Sequence, residues 1–191
     1  MARQIDFDRA STLQVAMQTF WVKGYEATSV SDLTTAMGIG RQSLYNSFGP
    51  KHTLFLECLD WYCANASALM FAPMRDRGGL VAIETYFEQS IRNMTTGPRI
   101  ACFLVNSTIE VAPHDPEVAR RADAFSTDLV TALQAALTVG IERGEIPPCD
   151  ARITAQVLRN TWFGLAVSSK AGVDVDTLRA VVQHTLSPLR A

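Results

Sequence analysis

Several arrangements of residues are missing from this chain, and each absence removes a class of protein. The four cysteines, Cys58, Cys63, Cys102 and Cys149, are scattered with no CxxC pair; in a reducing compartment they stand as free thiols. The three histidines, His52, His114 and His184, lie in separate segments, so no metal site is expected. There is no GxSxG elbow, no HExxH pair and no Walker loop, which argues against an enzyme and against a bound cofactor. Gly38-Ile-Gly-Arg-Gln-Ser43 has two glycines of a dinucleotide loop, but no strand precedes it and the third glycine is absent. No apolar run approaches the ~18 residues that span a bilayer, and Met1-Ala-Arg-Gln-Ile-Asp6 lacks the apolar region of a secretory signal. The expectation is a cytoplasmic protein with no membrane partner, in which the sequons at Asn65, Asn93 and Asn106 are chance matches. Charge is also sparse, at 19% of residues and a net −2. Residues 1–56 hold five basic against four acidic groups and the remainder twelve against fifteen, so charge alone is a weak pointer to a nucleic-acid-binding end.

What is abundant is apolar residues at helical spacing. They form 48% of the 191 residues, enough for a substantial core, and no convincing alternating strand interrupts them. The pattern predicts an all-α chain of about nine helices. A first helix is expected after Asp6 as N-cap, running to Gly24 with Ala10, Leu13, Met17, Phe20 and Trp21 as its stripe. Thr28 or Ser29 caps a short helix carrying Val30, Leu33 and Met37. A Gly38-Ile39-Gly40 turn leads into a helix from Arg41 to Phe48, and after Gly49-Pro50 a longer one runs from Lys51 to about Phe71. Gly78-Gly79, Gly97-Pro98, Pro113 to Pro116, Pro147-Pro148 and Gly172 punctuate the rest. Asp115-Pro116 is a strong helix start, and Asp150 caps another.

Residues 29–48 have the layout of a helix-turn-helix. At 100° per residue Leu44 and Phe48 share one side of the Arg41–Phe48 helix, while Gln42 and Asn46 share roughly the opposite side with Ser43 beside them. Amides pair bidentately with adenine in the major groove, and at ~1.5 Å per residue the helix is ~12 Å long, matching the groove width. Arg41 can reach guanine or phosphate, and the Tyr45 hydroxyl a phosphate. Thr28 and Ser29, and again Lys51 and His52, put polar groups at helix N-termini, where phosphates bind. Spacing alone also fits a short polar helix of an ordinary bundle, and a helical adaptor is the other rival.

The residues carry more than spacing. Phe20-Trp-Val-Lys-Gly-Tyr-Glu-Ala-Thr-Ser-Val-Ser-Asp-Leu33, Met37-Gly-Ile-Gly40 and Ser43-Leu-Tyr-Asn-Ser-Phe-Gly-Pro-Lys51 resemble the DNA-binding domain of the TetR/AcrR family. The resemblance covers roughly residues 5–56, and the segment from Ala101 to Arg121 resembles the C-terminal domain of some members. It implies an N-terminal three-helix helix-turn-helix domain, residues 1–52, and a C-terminal helical ligand-binding and dimerisation bundle, residues 53–191. It places Thr28, Arg41, Gln42, Ser43, Tyr45, Asn46 and Lys51 at DNA contacts, with Tyr45 and Lys51 on phosphates. Two departures stand out: Gly40 where a Ser or Thr often caps the recognition helix, and Thr34 where alanine is frequent.

By the same resemblance the chain is a DNA-binding transcriptional regulator, most often a repressor, that binds a pseudo-palindromic operator as a homodimer through its last two helices and is released by a small-molecule effector. Met70, Phe71, Met74, Tyr86, Phe87, Phe103, Phe125, Trp162 and Phe163, with Asn106, Glu110 and His114 as polar points, are the candidate pocket, and their character favours a hydrophobic ligand. The alternative is a thiol-based redox or electrophile sensor through Cys102. A helix start and the neighbouring Arg99 would lower its pKa, although a buried apolar role fits the same residue.

Overall fold

The computed structural model describes residues 7–96 and 101–190, and within them every regular element is helical. The N-terminal helices are α1 (Arg9–Lys23), α2 (Val30–Met37), α3 (Arg41–Phe48) and α4 (Lys51–Ala66). There follow a π turn (Ser67–Phe71), α5 (Ala72–Arg77), α6 (Gly79–Thr95), α7 (Phe103–Glu110), α8 (Pro116–Glu142), α9 (Ala151–Lys170), α10 (Val175–Leu186) and a 3₁₀ turn (Ser187–Leu189). Because α4, the π turn and α5 run without a break, the described residues hold nine helical axes. The long helix therefore passes the expected end near Phe71. Pro73 is the reason for the wide turn: it has no N–H to donate and its ring crowds the carbonyl one turn back, and a five-residue spacing, with the Ala72 amide on the Ser67 carbonyl, relieves both.

The first helix begins later than expected. Asp8 is its N-cap, accepting from the amides of Ala10 and Ser11, and Asp6 lies outside the described residues, as does the Gly97-Pro98 break. The Asp115 and Asp150 caps form as their sequences dictate, each carboxylate taking two amides of the following turn. Leu13, Ala16 and Phe20 of α1, Leu33 of α2, Leu44 and Phe48 of α3, and Leu54 and Phe55 of α4 close the N-terminal core. Each buried leucine or phenylalanine contributes ~1.5–3 kcal/mol. Arg9 ties the ends of this unit, donating to the Glu57 carboxylate (2.8 Å) and the Ser47 carbonyl (3.2 Å) while lying over the Phe48 ring.

In the C-terminal bundle α8 is central, packed against α5, α6, α7 and α9. By length and composition it could cross a bilayer, contrary to the reading of the apolar runs, yet Leu129, Ala132, Leu133, Ala136 and Leu137 are buried among the other helices.

Candidate nucleic-acid interface and effector cavity

Leu44 and Phe48 are buried and Arg41, Gln42, Tyr45 and Asn46 exposed, with Ser43 half-buried between them. The α3 face therefore points its amides outward because two apolar anchors on its other side fill the α1–α2–α4 core. The preceding turn depends on Gly38, which ends α2 at φ +66° and returns its N–H to the Thr34 carbonyl, a conformation costly for side-chain-bearing residues. Gly40, in contrast, sits at an ordinary φ with open space where a Cβ would be, so a capping serine would fit there. On the exposed face the Gln42 Nε2 donates to the Asn46 Oδ1 at 2.9 Å; the two amides form one preset unit, leaving the Gln42 carbonyl oxygen and the Asn46 NH₂ outward.

The flanking positions are more committed than the sequence implied. Thr28, expected at a phosphate, is fully buried and its hydroxyl donates to the Gly24 carbonyl at 2.6 Å, so that hydroxyl has no path to DNA. Ser29 is the true N-cap, in a reciprocal box with Asp32. The Lys23 ammonium at 2.6 Å, aided by Ser29, holds the Asp32 carboxyl far below the usual range. A phosphate at this helix end must therefore displace or join Asp32. Lys51 stands over the Tyr25 ring, its Nζ 4.3 Å from the centroid, at the first turn of α4. The His52 Nε2 lies 2.6 Å from the Asp115 Oδ2, which links α4 to the cap of α8 and commits this nitrogen to a carboxylate.

Behind this unit is a cavity of about 470 Å³, within the usual range for small-molecule sites. Trp21 of α1, Trp61, Tyr62 and Asn65 of α4, Leu69 and Met70 of the π turn, Ser90, Asn93 and Met94 of α6, Cys102 and Trp162 line it together with Met17, Ala66, Thr96 and Ala101. Of the expected pocket residues only Met70 and Trp162 do so. Phe71, Met74, Tyr86, Phe87, Phe103 and Phe125 are buried in the surrounding core, where aromatic packing such as Phe71–Phe125 at 5.0 Å holds them. Phe163 packs edge-on to Trp162 and beneath Arg159. His114 is exposed in the turn before α8. Asn106 accepts from the Lys170 Nζ at 3.1 Å, away from the cavity. Glu110 is a clamp instead of a pocket residue. Its carboxylate accepts the backbone N–H groups of Tyr25 (3.2 Å) and Glu26 (2.9 Å), fastening the α1–α2 loop to α7.

Sequence reasoning missed Trp21, Trp61 and Tyr62 because a helical stripe reads the same whether it meets another helix or a void. Cys102 also departs from expectation. Burial pushes its thiol up, outweighing the Tyr62 hydroxyl and the amides of Val105 and Leu104 that pull it down, and Arg99 lies outside the described residues. A thiol held protonated is a poor nucleophile, so the geometry does not favour the thiol-sensor alternative.

Comparison with known proteins places these two sites in context. Residues 13–58 match the model for bacterial regulatory proteins of the tetR family, and residues 79–185 the C-terminal domain described as tetracyclin repressor-like. The chain is 34% identical to the HTH-type transcriptional regulator YezE of Bacillus subtilis (strain 168), over 99% of this chain and 100% of that protein. To the HTH-type transcriptional repressor ComR of Escherichia coli (strain K12) it is 32% identical, over 94% and 88% of the two. Among solved structures, a cysteine mutant of the TetR family regulator CifR, complexed with 26-base-pair operator DNA, superposes with a TM-score of 0.86 at 28% identity, covering 98% of this chain and 100% of that one.

Proposed function

Because this chain belongs to the tetR family of bacterial regulatory proteins, whose members are DNA-binding regulators rather than enzymes, we propose that it is a repressor acting as a homodimer on a pseudo-palindromic operator and released by a small hydrophobic molecule in the Trp-lined cavity. One observation carries the reading: α3 exposes Arg41, Gln42, Tyr45 and Asn46 on the side opposite its buried Leu44 and Phe48. In this reading Gln42 and Asn46, with Ser43, meet base edges, Arg41 a guanine or phosphate, and Tyr45, Lys51 and the Ser29 helix end the backbone. The relatives named as repressors favour repression over activation.

Dimerisation through α9 and α10 is supported by an exposed stripe at heptad-like spacing along α9, Ile153, Val157, Asn160, Gly164 and Val167, joined by Val181 of α10. Gly164 has open space where a Cβ would be, which permits a close helix approach. Two copies would set two recognition helices one helical turn apart, or a multiple of it. The cavity is suited to gating this spacing because α1 and α4, which carry the helix-turn-helix, supply its walls; a ligand favouring one arrangement of them shifts the population away from the DNA-fitting one. Operator binding makes the cytoplasm its place of action.

The test is selection of genomic fragments by the purified protein at low salt, followed by footprinting. The expected outcome is a pseudo-palindrome whose half-sites match the two recognition helices. Indifference to every duplex at low ionic strength would remove the proposal.

A further inference from the structure

We propose that the effector is an uncharged, flat aromatic molecule bearing a carbonyl-type acceptor oxygen, and that Tyr62 is the donor that recognises it. The inference rests on reading the cavity as the effector site, and it follows from three properties of the lining.

Among the described residues no charged side chain lines the cavity; its polar groups are neutral. A carboxylate, phosphate or ammonium bound there would lose its hydration with no counter-charge from these residues in return. These described walls favour a neutral ligand over a nucleotide-bearing acyl carrier or an amphipathic cation. The walls themselves are planar. All three tryptophans of the chain, Trp21, Trp61 and Trp162, face the space, and Tyr62 stands edge-on to Trp21 at 5.2 Å. Rings of this kind accept another ring by stacking or edge contact.

The third property is a misplaced proton. Tyr62 donates its hydroxyl to the Cys102 Sγ at 3.2 Å, and sulfur is a weak acceptor. A ligand carbonyl oxygen is a stronger one, and the exchange leaves behind only a protonated thiol, which needs no partner to remain neutral. Next to this pair the Tyr86 hydroxyl is fully buried without a partner at hydrogen-bond geometry. Burial raises its pKa, and the nearby Ser90, whose oxygen accepts from the Trp162 indole N–H at 3.2 Å, pulls it down. Tyr62 and Cys102 both lie within electrostatic reach of Tyr86. A buried polar group without a partner needs a reason. A ligand that reorients the Tyr62 hydroxyl can bring its oxygen, which accepts as well as donates, to the Tyr86 proton. The Trp162 N–H is held by the Ser90 oxygen, whereas Tyr62 is a lining donor whose present acceptor is the weak Cys102 sulfur.

The three tryptophans report occupancy directly, so quenching of their emission measures binding. The probes are 1-acetylnaphthalene, naphthalene and 1-naphthoate, which share a ring system and differ in acceptor and charge. The ketone should bind roughly three- to tenfold more tightly than the hydrocarbon, the range of one net hydrogen bond, and the carboxylate at least roughly tenfold more weakly than the ketone. Tyr62→Phe should abolish the preference for ketone over hydrocarbon while leaving naphthalene affinity unchanged, a result that loss of folding would not produce. Tyr86→Phe should lower ketone affinity less, with thermal stability kept or raised because an unbonded hydroxyl is removed. Equal binding of ketone and carboxylate, or an unaltered preference in Tyr62→Phe, overturns the proposal. Failure of operator selection with the probe ranking intact would instead sink the repressor reading alone.

Discussion

Glu110 is the point where a single substitution should loosen the joint between the cavity and the DNA-binding unit. It ends α7, whose other end is the cavity-lining Cys102, ~12 Å away along the helix. Its carboxylate takes the amides of Tyr25 and Glu26 at 3.2 and 2.9 Å. A hydrogen bond to a charged group is worth about 1.5–3 kcal/mol when shielded. Glu110 is exposed, so water recovers most of that, and Glu110→Ala should cost about 1–2 kcal/mol in total. Gly24 provides a second way to break the same clamp. At φ +87° it has no side chain, and a Cβ there would lie 3.0 Å from both Glu110 carboxylate oxygens. Gly24→Ala therefore pushes the carboxylate away and adds backbone strain of about 1–3 kcal/mol, because φ +87° with ψ 163° is a region only glycine adopts readily. Urea titrations of wild type, both single variants and the double variant close a cycle. Once alanine at position 24 has displaced the carboxylate, removing it costs little more, so the double variant should fall short of the summed single losses by about 1 kcal/mol. Operator affinity should fall in all three variants, because the α1–α2 loop leads directly into the helix-turn-helix. Additivity within about 0.5 kcal/mol, or a Glu110→Ala protein as stable as wild type, would refute the clamp.

On the DNA face, Gln42→Ala and Asn46→Ala should each relax preference at particular operator positions by ~1–3 kcal/mol. Their shared hydrogen bond makes the double variant non-additive in competition binding. Tyr45→Phe and Lys51→Ala should instead weaken binding to all sequences and flatten its salt dependence; an unchanged slope removes them from the backbone. Val157→Glu places a charge in the exposed α9 stripe (Val157 is 50% exposed) and should give a monomer by sedimentation that no longer retains operator DNA, whereas a persisting dimer moves the interface elsewhere. Thiol titration of the native protein at neutral pH should find Cys149 fast, being exposed, and Cys58, Cys63 and Cys102 slow, Cys63 because burial first, then Cys102 and Asp60 beside it, push it up to about 12; a second fast thiol contradicts this. Burial raises the Asp115 carboxyl, but the His52 ring and the amides of Val118 and Glu117 outweigh it and leave its pKa lowered. Its stabilising contribution is thus complete above the ordinary aspartate value and lost as pH falls through the folded value, so Asp115→Asn should flatten the acid limb of the urea midpoint, and an identical limb would dismiss it.

Periodicity, caps and breakers by themselves determined the all-helical course of this chain, the orientation of α3 and the starts at Asp115 and Asp150, because those depend on residues within one or two turns of each other. A helix reveals which of its faces is apolar, so Leu44 and Phe48 located Gln42 and Asn46 without further help. What that face meets is set by distant segments. The stripe holding Trp21 borders a void only because α4, α6 and α7 stop short of filling it. Glu110 became a clamp because α7 brings it onto the amides of Tyr25 and Glu26, more than eighty residues earlier. Thr28 was lost to the interface when its hydroxyl found the Gly24 carbonyl in a closed loop. Burial likewise reversed the expected shift of Cys102, since desolvation depends on the whole surrounding shell and the local helix start supplies only a part of it.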